Sequence, residues 1–145
     1  QQVSYDLAVF TTNPNTSLGH RLVFATNTIE MIKSSPFFGV GTGDFPAEYS
    51  KINSVNSPKV KSTVQPHNMY LYIQAQLGLL GLSIFLWIFY IQFQFARASK
   101  DQFIHHAGVA LPFLFLIIML SDSYLLGHFT SNLFILFSSF IYSNK

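Results

Sequence analysis

The sequence predicts an all-α integral membrane protein in which a more polar segment precedes three transmembrane helices. Half of the 145 residues are hydrophobic and only 10% are charged, whereas about 25% are charged in an ordinary soluble domain. The charges are unevenly spread, because residues 1–66 hold nine of the fourteen Asp, Glu, Lys and Arg side chains. This distribution divides the chain into a polar region at residues 1–66 and a membrane region at residues 67–145.

Composition also excludes several classes of function. The net charge of +2 gives no basic field for nucleic acid. The chain has no cysteine, which excludes disulfide scaffolds, cysteine-based zinc sites and thiol nucleophiles. The five histidines include no pair at metal-ligand spacing beside a carboxylate, and no Gly-x-Ser-x-Gly elbow of a serine hydrolase occurs. We therefore predict neither a metal site nor a cofactor.

The first predicted element of the polar region is a helix from Leu18 to Met31. Its apolar residues recur at helical spacing, and the helix ends before Pro36, which cannot continue it. Turn residues at 13–17 precede the helix, where Thr16 or Ser17 can cap its first amides. One or two short surface helices are therefore expected before the membrane region.

A glycine-rich stretch and a polar stretch follow this helix. Gly39-Val40-Gly41-Thr42-Gly43 predicts a tight turn, because the stretch lacks both the Gly-Lys-Ser/Thr ending of a phosphate-binding P-loop and the spacing of a dinucleotide fingerprint. Residues 50–64 are polar and contain lysines and a proline. They are predicted to form a flexible loop.

The membrane region begins with a long run that has no ionisable side chain. Residues 68–96 are 29 residues without Asp, Glu, Lys, Arg or His. A helix over Leu71–Ile91 alone would be about 31 Å long, the thickness of a hydrocarbon core. A buried helix in a soluble protein is the alternative, but such a run is too long for a domain of this size. The first span is predicted at about residues 69–95.

Two shorter apolar runs, at residues 107–121 and 129–142, follow this span. Extended to about 104–121 and 124–142, both become long enough to cross a membrane. Asp122 then lies in the turn between them, because a carboxylate in the hydrocarbon is costly. The alternative is that both runs lie as interfacial or re-entrant segments.

Basic residues near the predicted spans indicate the orientation. Arg97 and Lys100 follow the first span and Lys145 follows the third, whereas the Asp122 turn has neither Lys nor Arg. The positive-inside rule places these three basic residues in the cytoplasm. Residues 1–66 and the Asp122 turn are then expected at the outer face of the membrane.

This topology brings Arg21, His67 and Asp122 to one face. Arginine suits bidentate contact with phosphate oxygens. Histidine exchanges a proton near neutral pH, and a carboxylate can orient it. The alternative for each residue alone is a solvated charge or a helix-end cap. Together the three residues indicate a site that handles a phosphate group and a proton.

Several short motifs in a fixed order extend this prediction. They are Arg21, Pro36-Phe37-Phe38-Gly39-Val40-Gly41-Thr42-Gly43, His67-Asn68-Met69-Tyr70-Leu71 and Leu77-Gly78-Leu79-Leu80-Gly81-Leu82. In order and interval, this set over residues 17–85 resembles the O-antigen ligase family, which shares its domain with O-antigen polymerases and bacterial O-linked protein oligosaccharyltransferases. Asp122 resembles a later acidic position of that family more loosely.

The resemblance implies the C-terminal part of a multi-span glycosyltransferase of lipopolysaccharide biosynthesis in the bacterial inner membrane, with residues 1–66 in the periplasm. Its donor would be a glycan on undecaprenyl pyrophosphate, and its acceptor the lipid A core or another glycan, with membrane lipids around the spans. The family mechanism is thought to need no metal. The family also uses an arginine from an earlier periplasmic loop, which is absent here, so this chain alone is expected to be inactive.

The resemblance also implies roles for individual residues. Arg21 would bind the pyrophosphate and stabilise it as the leaving group, and His67 would be the general base on the acceptor hydroxyl. Asn68 would help to position the acceptor, and Asp122 would orient His67. The turn residues Gly41 and Gly43 would contact the substrate.

Three alternatives remain beside an O-antigen ligase. A polymerase would extend a lipid-linked glycan, and a non-catalytic membrane subunit or transporter fragment would carry out no transfer. A transporter is expected to have ionisable groups along its spans, and the first span has none. A protein oligosaccharyltransferase is less favoured, because the Trp-Gln pair expected after the segment with Arg21 is absent and the one tryptophan, Trp87, lies within the first span.

Overall fold

A computed structural model describes residues 16–143, and all of the regular secondary structure in that part of the chain is helical. The five α-helices are α1 (Ser17–Ser34), α2 (Phe45–Asn56), α3 (Met69–Ala98), α4 (Gln102–Ile118) and α5 (His128–Tyr142), and a 3₁₀ turn at Tyr124–Leu126 joins α4 to α5. The predicted all-α class is confirmed for these residues. The predicted turn at residues 13–15 and the orienting Lys145 lie outside the described residues.

The helix α3 is the one helix of residues 16–143 that is long and apolar enough to cross a membrane. Only 11% of its most apolar stretch is buried inside the protein, whereas the core helix of a soluble protein would be mostly buried. The apolar α4 has 17 residues and α5 has 15. Their lengths of about 26 and 22 Å fall short of a hydrocarbon core of about 30 Å. By length and composition, one of the three predicted spans is thus long and apolar enough to cross a membrane, and the other two are shorter helices.

The predicted first span is not one continuous helix, because α3 is broken at Gly78. This residue has φ 65° and ψ −166°, outside helical geometry. The rings of Tyr70 and Phe85 lie 6.5 Å apart, although 15 residues of straight helix would separate their Cα atoms by about 22 Å. The segment before the break therefore folds back beside the segment after it. The continuous part of α3 is residues 79–98, about 30 Å long.

The glycine-rich turn fills the break in α3. Four backbone hydrogen bonds join the turn to the two sides of the break. The amides of Leu79 and Leu80 donate to the carbonyls of Pro36 and Phe37 (2.8 and 3.3 Å), and the amides of Val40 and Gly41 donate to the carbonyls of Ala75 and Gln76 (2.8 and 3.0 Å). The amides of Leu79 and Leu80 and the carbonyls of Ala75 and Gln76, which the break frees, are thus satisfied, as an apolar environment requires.

Two glycines allow this close contact between backbones. A Cβ atom on Gly39 would lie 2.3 Å from the carbonyl carbon of Gln76, and one on Gly78 would lie 2.2 Å from that of Phe37. Both glycines also have positive φ angles, 71° and 65°, which side chains disfavour. The turn and the broken helix therefore interlock only if both positions are glycine.

We expect Gly78→Ala to destabilise the protein much more than Gly43→Ala. Gly43 also has a positive φ, 91°, but a Cβ there would meet nothing within 4 Å. The Gly43 variant therefore reports only backbone strain, about 1–2 kcal/mol. At Gly78 the clash adds about 1–3 kcal/mol more. Thermal unfolding in detergent, followed by Trp87 fluorescence, measures the difference, and equal losses in the two variants would contradict the interlock.

The prediction of a loop at residues 50–64 is wrong for its first part, because α2 continues to Asn56. The buried side of α2 consists of Phe45, Tyr49 and Asn53, which are four residues apart and so share one helix face. The third of these residues, Asn53, is polar and so breaks the apolar pattern. For this reason the sequence did not indicate the helix. This face packs on α1.

A buried amide network fastens α2 to α1. Asn27 Nδ2 donates to the Tyr49 hydroxyl (3.3 Å) and to Asn53 Oδ1 (3.1 Å), and Asn53 Nδ2 donates to the carbonyl of Val60 (2.8 Å). Burial raises the pKa of the Tyr49 hydroxyl, and the hydrogen bond with Asn27 partly opposes this. A tyrosine hydroxyl is already neutral at pH 7, and the raised pKa keeps this one neutral to higher pH. The two helices and the chain up to Val60 thus form one unit.

The start of α3 is joined to the end of α4. The amide of Met69 donates to the carbonyl of Met119 (3.0 Å), and the Tyr70 hydroxyl donates to the carbonyl of Leu116 (2.6 Å). Met69 and Met119 also belong to one buried apolar cluster with Phe89. These contacts bring the residues just before α3 next to the turn that follows α4.

Candidate active site

A histidine and a carboxylate meet where α3 begins and α4 ends. His67 Nδ1 lies 3.0 Å from Asp122 Oδ1, and the two side chains are about one-third exposed (32% and 33%). Asp122 Oδ1 also accepts a hydrogen bond from the amide of Ser123 (2.7 Å). The two residues are 55 positions apart in sequence, and the predicted proximity of their two segments is present in the structure.

Local backbone geometry fixes the place of His67. The residue has φ 54°, in a region that few residues other than glycine adopt. The next residue, Asn68, caps α3 by accepting from the amide of Leu71 (3.0 Å), and its Nδ2 donates to the carbonyl of Leu120 (3.0 Å). The Asn68 side chain therefore joins the start of α3 to the end of α4 by hydrogen bonds. This role differs from the predicted one, which was to position an acceptor.

An aromatic ring from α1 packs on the face of His67. The ring centroids of Phe24 and His67 lie 5.9 Å apart with 24° between the planes, and Phe24 stacks in the same way on His20 (6.0 Å, 24°). The edge of Tyr49 in turn supports Phe24 at 6.2 Å. The helices α1 and α2, joined by the hydrogen bonds of Asn27 and Asn53, thus hold the Phe24 ring that orients the imidazole of His67.

The contacts of His67 determine which of its nitrogens can react. Because the Asp122 carboxylate is an acceptor, Nδ1 carries the proton in the neutral ring. Nε2 then has the free lone pair, and it makes no hydrogen bond to any of residues 16–143. The arrangement can accept a proton at Nε2, while the carboxylate stabilises the imidazolium that forms.

Arg21 does not touch the His67–Asp122 pair. It is exposed on α1, three residues before Phe24, and residues at this spacing are neighbours on a helix surface. Within residues 16–143, its guanidinium forms neither an ion pair nor a hydrogen bond. The structure therefore places Arg21, as an exposed residue, about one helical turn from the ring that packs on His67.

The amides of Gly41 and Gly43 are already used within the protein. The Gly41 amide donates to the Gln76 carbonyl (3.0 Å), and the Gly43 amide donates to Gln76 Oε1 (2.7 Å). These two backbone donors hold the turn on α3. They are therefore not available for the predicted contact of Gly41 and Gly43 with the substrate.

Sequence reasoning missed Phe24, which packs on His67, and Gln76, which holds the glycine-rich turn. The signal for Phe24 was its spacing of four residues from His20 on a predicted helix. The signal for Gln76 was an amide inside a run without ionisable groups, where a polar side chain needs a partner. No group of three or more His, Cys, Asp and Glu side chains that could hold a metal ion occurs within residues 16–143.

Comparison with known proteins identifies a family. The family model described as O-antigen ligase matches residues 2–86, which is more than half of the chain. The matched segment includes α1, the glycine-rich turn, α2, His67 and the break in α3, whereas Asp122 lies beyond it. No curated protein and no solved structure matches the chain.

Proposed function

Because this chain belongs to the O-antigen ligase family, we propose that it catalyses glycan transfer from undecaprenyl pyrophosphate to the lipid A core, as part of an O-antigen ligase. The family membership itself indicates ligase or polymerase chemistry on lipid-linked glycans, in a membrane-associated protein. The proposed transfer to an acceptor hydroxyl is supported by one observation, the contact of 3.0 Å between His67 Nδ1 and Asp122 Oδ1, with Nε2 unbonded within residues 16–143.

In the proposed reaction His67 is the general base. Its Nε2 removes the proton from the acceptor hydroxyl while the hydroxyl oxygen attacks the anomeric carbon of the donor glycan. The bond between that carbon and the phosphate oxygen breaks, and the electron pair leaves with undecaprenyl pyrophosphate. Asp122 keeps the proton of the neutral ring on Nδ1 and stabilises the imidazolium ion.

Arg21 is proposed to bind the pyrophosphate. Its guanidinium is exposed and unpaired within residues 16–143, and its planar fork matches two phosphate oxygens. Positive charge at this point stabilises the negative charge that develops on the leaving group. The proposal therefore needs neither a metal ion nor another cofactor for this step.

A transfer assay with the full-length protein tests the function. The protein is reconstituted in liposomes with a synthetic undecaprenyl pyrophosphate glycan, and either the lipid A core or a second lipid-linked glycan is added as acceptor. We expect the glycan to be transferred to the lipid A core. Elongation of the lipid-linked glycan would instead identify a polymerase, and a lack of transfer to both acceptors would favour a non-catalytic membrane subunit.

The proposed site must face the periplasm, and labelling of introduced cysteines tests this orientation. Ser62→Cys places a thiol on the exposed chain after α2, and Ser99→Cys places one directly after α3. The chain has no cysteine of its own. We expect an impermeant maleimide added to intact spheroplasts to label position 62 but not position 99. Labelling at position 99 alone would show that the orientation is the opposite of the one proposed.

A further inference from the structure

A cavity adjoins Asp122 on the side of the α4–α5 connection. Its volume is about 460 Å³, within the range of about 300–1,000 Å³ found for small-molecule sites. The side chains that matter for its chemistry are those of Gln65, Asp122, Ser123, Tyr124, His128 and Phe129. The lining thus includes Gln65, two residues before His67 in sequence, and Asp122, whose carboxylate His67 contacts.

Two buried polar atoms on this cavity have no partner within residues 16–143. They are Oε1 of Gln65 and Oγ of Ser123, and Ser123 is only 4% exposed. Buried polar groups are nearly always hydrogen-bonded, because leaving them unpaired is costly. By contrast, the nearby Thr130 hydroxyl is bonded to backbone carbonyls. A ligand in the cavity that brings its own hydrogen-bonding groups would satisfy both atoms.

The lining indicates a neutral ligand with many hydroxyl groups. It contains a carboxylate and neither Lys nor Arg, which disfavours a phosphate or pyrophosphate. Gln65 Oε1 and the Asp122 carboxylate accept hydrogen bonds, and the Ser123 hydroxyl both donates and accepts. Tyr124 and Phe129 are 36% and 80% exposed, and their rings offer apolar faces at the same place.

From this combination we infer that the cavity is a saccharide subsite, which holds one sugar of a glycan beside the His67–Asp122 pair. The inference rests on the proposed function, because it takes that pair to be the reacting centre. Sugar hydroxyls would pair with Gln65 and Ser123, and the C–H face of the sugar would pack on an aromatic ring. The sugar belongs to either the donor glycan or the acceptor.

Kinetics of three variants in the full-length enzyme test this subsite. Ser123→Ala and Gln65→Leu each remove one unpaired polar atom, and Phe129→Ala removes a ring that is too exposed to support the core. The matched control is Ser121→Ala, two residues before Ser123. Ser121 is exposed, and its hydroxyl donates to the carbonyl of Ile118.

We expect the three variants, but not Ser121→Ala, to raise the KM for one glycan substrate about tenfold, with kcat within a few-fold of the parent. A tenfold change is about the effect of one lost hydrogen bond for Ser123→Ala and Gln65→Leu, and of one lost ring contact for Phe129→Ala. A change in the KM of the donor would assign the sugar to the donor glycan, and a change in the KM of the acceptor would assign it to the acceptor. Unchanged KM values for both substrates would overturn the subsite and leave the transferase function intact.

Direct binding separates failure of the subsite from failure of the proposed function. The probe is the glycan repeat unit freed from its lipid, and saturation-transfer NMR measures its contact with the purified parent and variants. Binding that Ser123→Ala weakens would support a saccharide site even in a protein that transfers nothing. If the parent neither transfers nor binds the free glycan, both proposals are overturned.

Discussion

Replacement of His67 by glutamine is expected to lower the rate of glycan transfer by about 10²–10⁴-fold, the usual contribution of a general base. The amide of glutamine can still donate a hydrogen bond to Asp122, which now lies 3.0 Å from His67 Nδ1. It has no basic nitrogen, however, and cannot take the proton of the acceptor hydroxyl. His67→Gln therefore removes the chemistry while it retains most of the local contact.

His20→Gln is the matched control for this substitution. The imidazole of His20 stacks on the same Phe24 ring, at 6.0 Å against 5.9 Å for His67, but no carboxylate contacts it within residues 16–143. We expect the control to transfer glycan at a rate within a few-fold of the parent. A donor-binding measurement on both variants shows whether substrate capture is intact.

The pH dependence distinguishes a base from a structural anchor. Protonation of His67 stops it from accepting a proton, so the rate of the parent should fall on the acidic side of its profile. The residual activity of His67→Gln should lack this fall. If His67→Gln transfers glycan within a few-fold of the parent, His67 only anchors the start of α3, and the general-base role is lost.

The sequence predicted the elements that local patterns specify. Helical spacing indicated α1, and Thr16 caps it by accepting a hydrogen bond from the amide of Gly19 (3.0 Å). A residue count placed His67 before one apolar run and Asp122 after the next, and antiparallel packing of the two helices then brought the residues together. These predictions needed only periodicity and length, which a sequence shows directly.

The break in α3 could not be predicted in this way. Gly78 lies in an apolar run that reads as one helix, and nothing next to it favours φ 65°. Its conformation depends on the backbone of residues 36–41, about forty positions earlier, which supplies the hydrogen bonds that the helix gives up. A contact between two backbone segments far apart in sequence leaves no periodic pattern. It leaves only glycines, and glycines occur in a sequence for many structural reasons.

The predicted site shows the same limit. The sequence identified Gly41, Gly43 and Asn68 as residue types suited to a substrate, but it could not show whether their polar groups were free. In the structure these groups pair with Gln76, Leu71 and Leu120. Near the pair, the buried polar atoms without a partner in residues 16–143 belong to Gln65 and Ser123, which are ordinary loop residues by type. Which polar groups remain free depends on the folded packing.

Replacement of Arg21 by lysine is expected to impair transfer almost as strongly as replacement by alanine, by about 10²-fold. Removal of one fixed donor to a developing negative charge typically has an effect of this size. An ammonium group is a point charge and cannot reproduce the bidentate fork of a guanidinium on two phosphate oxygens. Arg21 is exposed on α1, and lysine and arginine have similar helix propensities, so stability should be unchanged.

Arg97→Lys is the control, since Arg97 is also an exposed arginine on a helix, in the last turn of α3. On the proposed topology it lies on the cytoplasmic side, and its replacement should leave transfer intact. The measurement is the transfer rate and the donor KM of the full-length enzyme. Because Arg21 is proposed to act on the leaving group, the loss should appear mainly in kcat. A near-normal kcat for Arg21→Lys, with a low one for Arg21→Ala, would show that Arg21 supplies only diffuse positive charge and does not clamp the pyrophosphate.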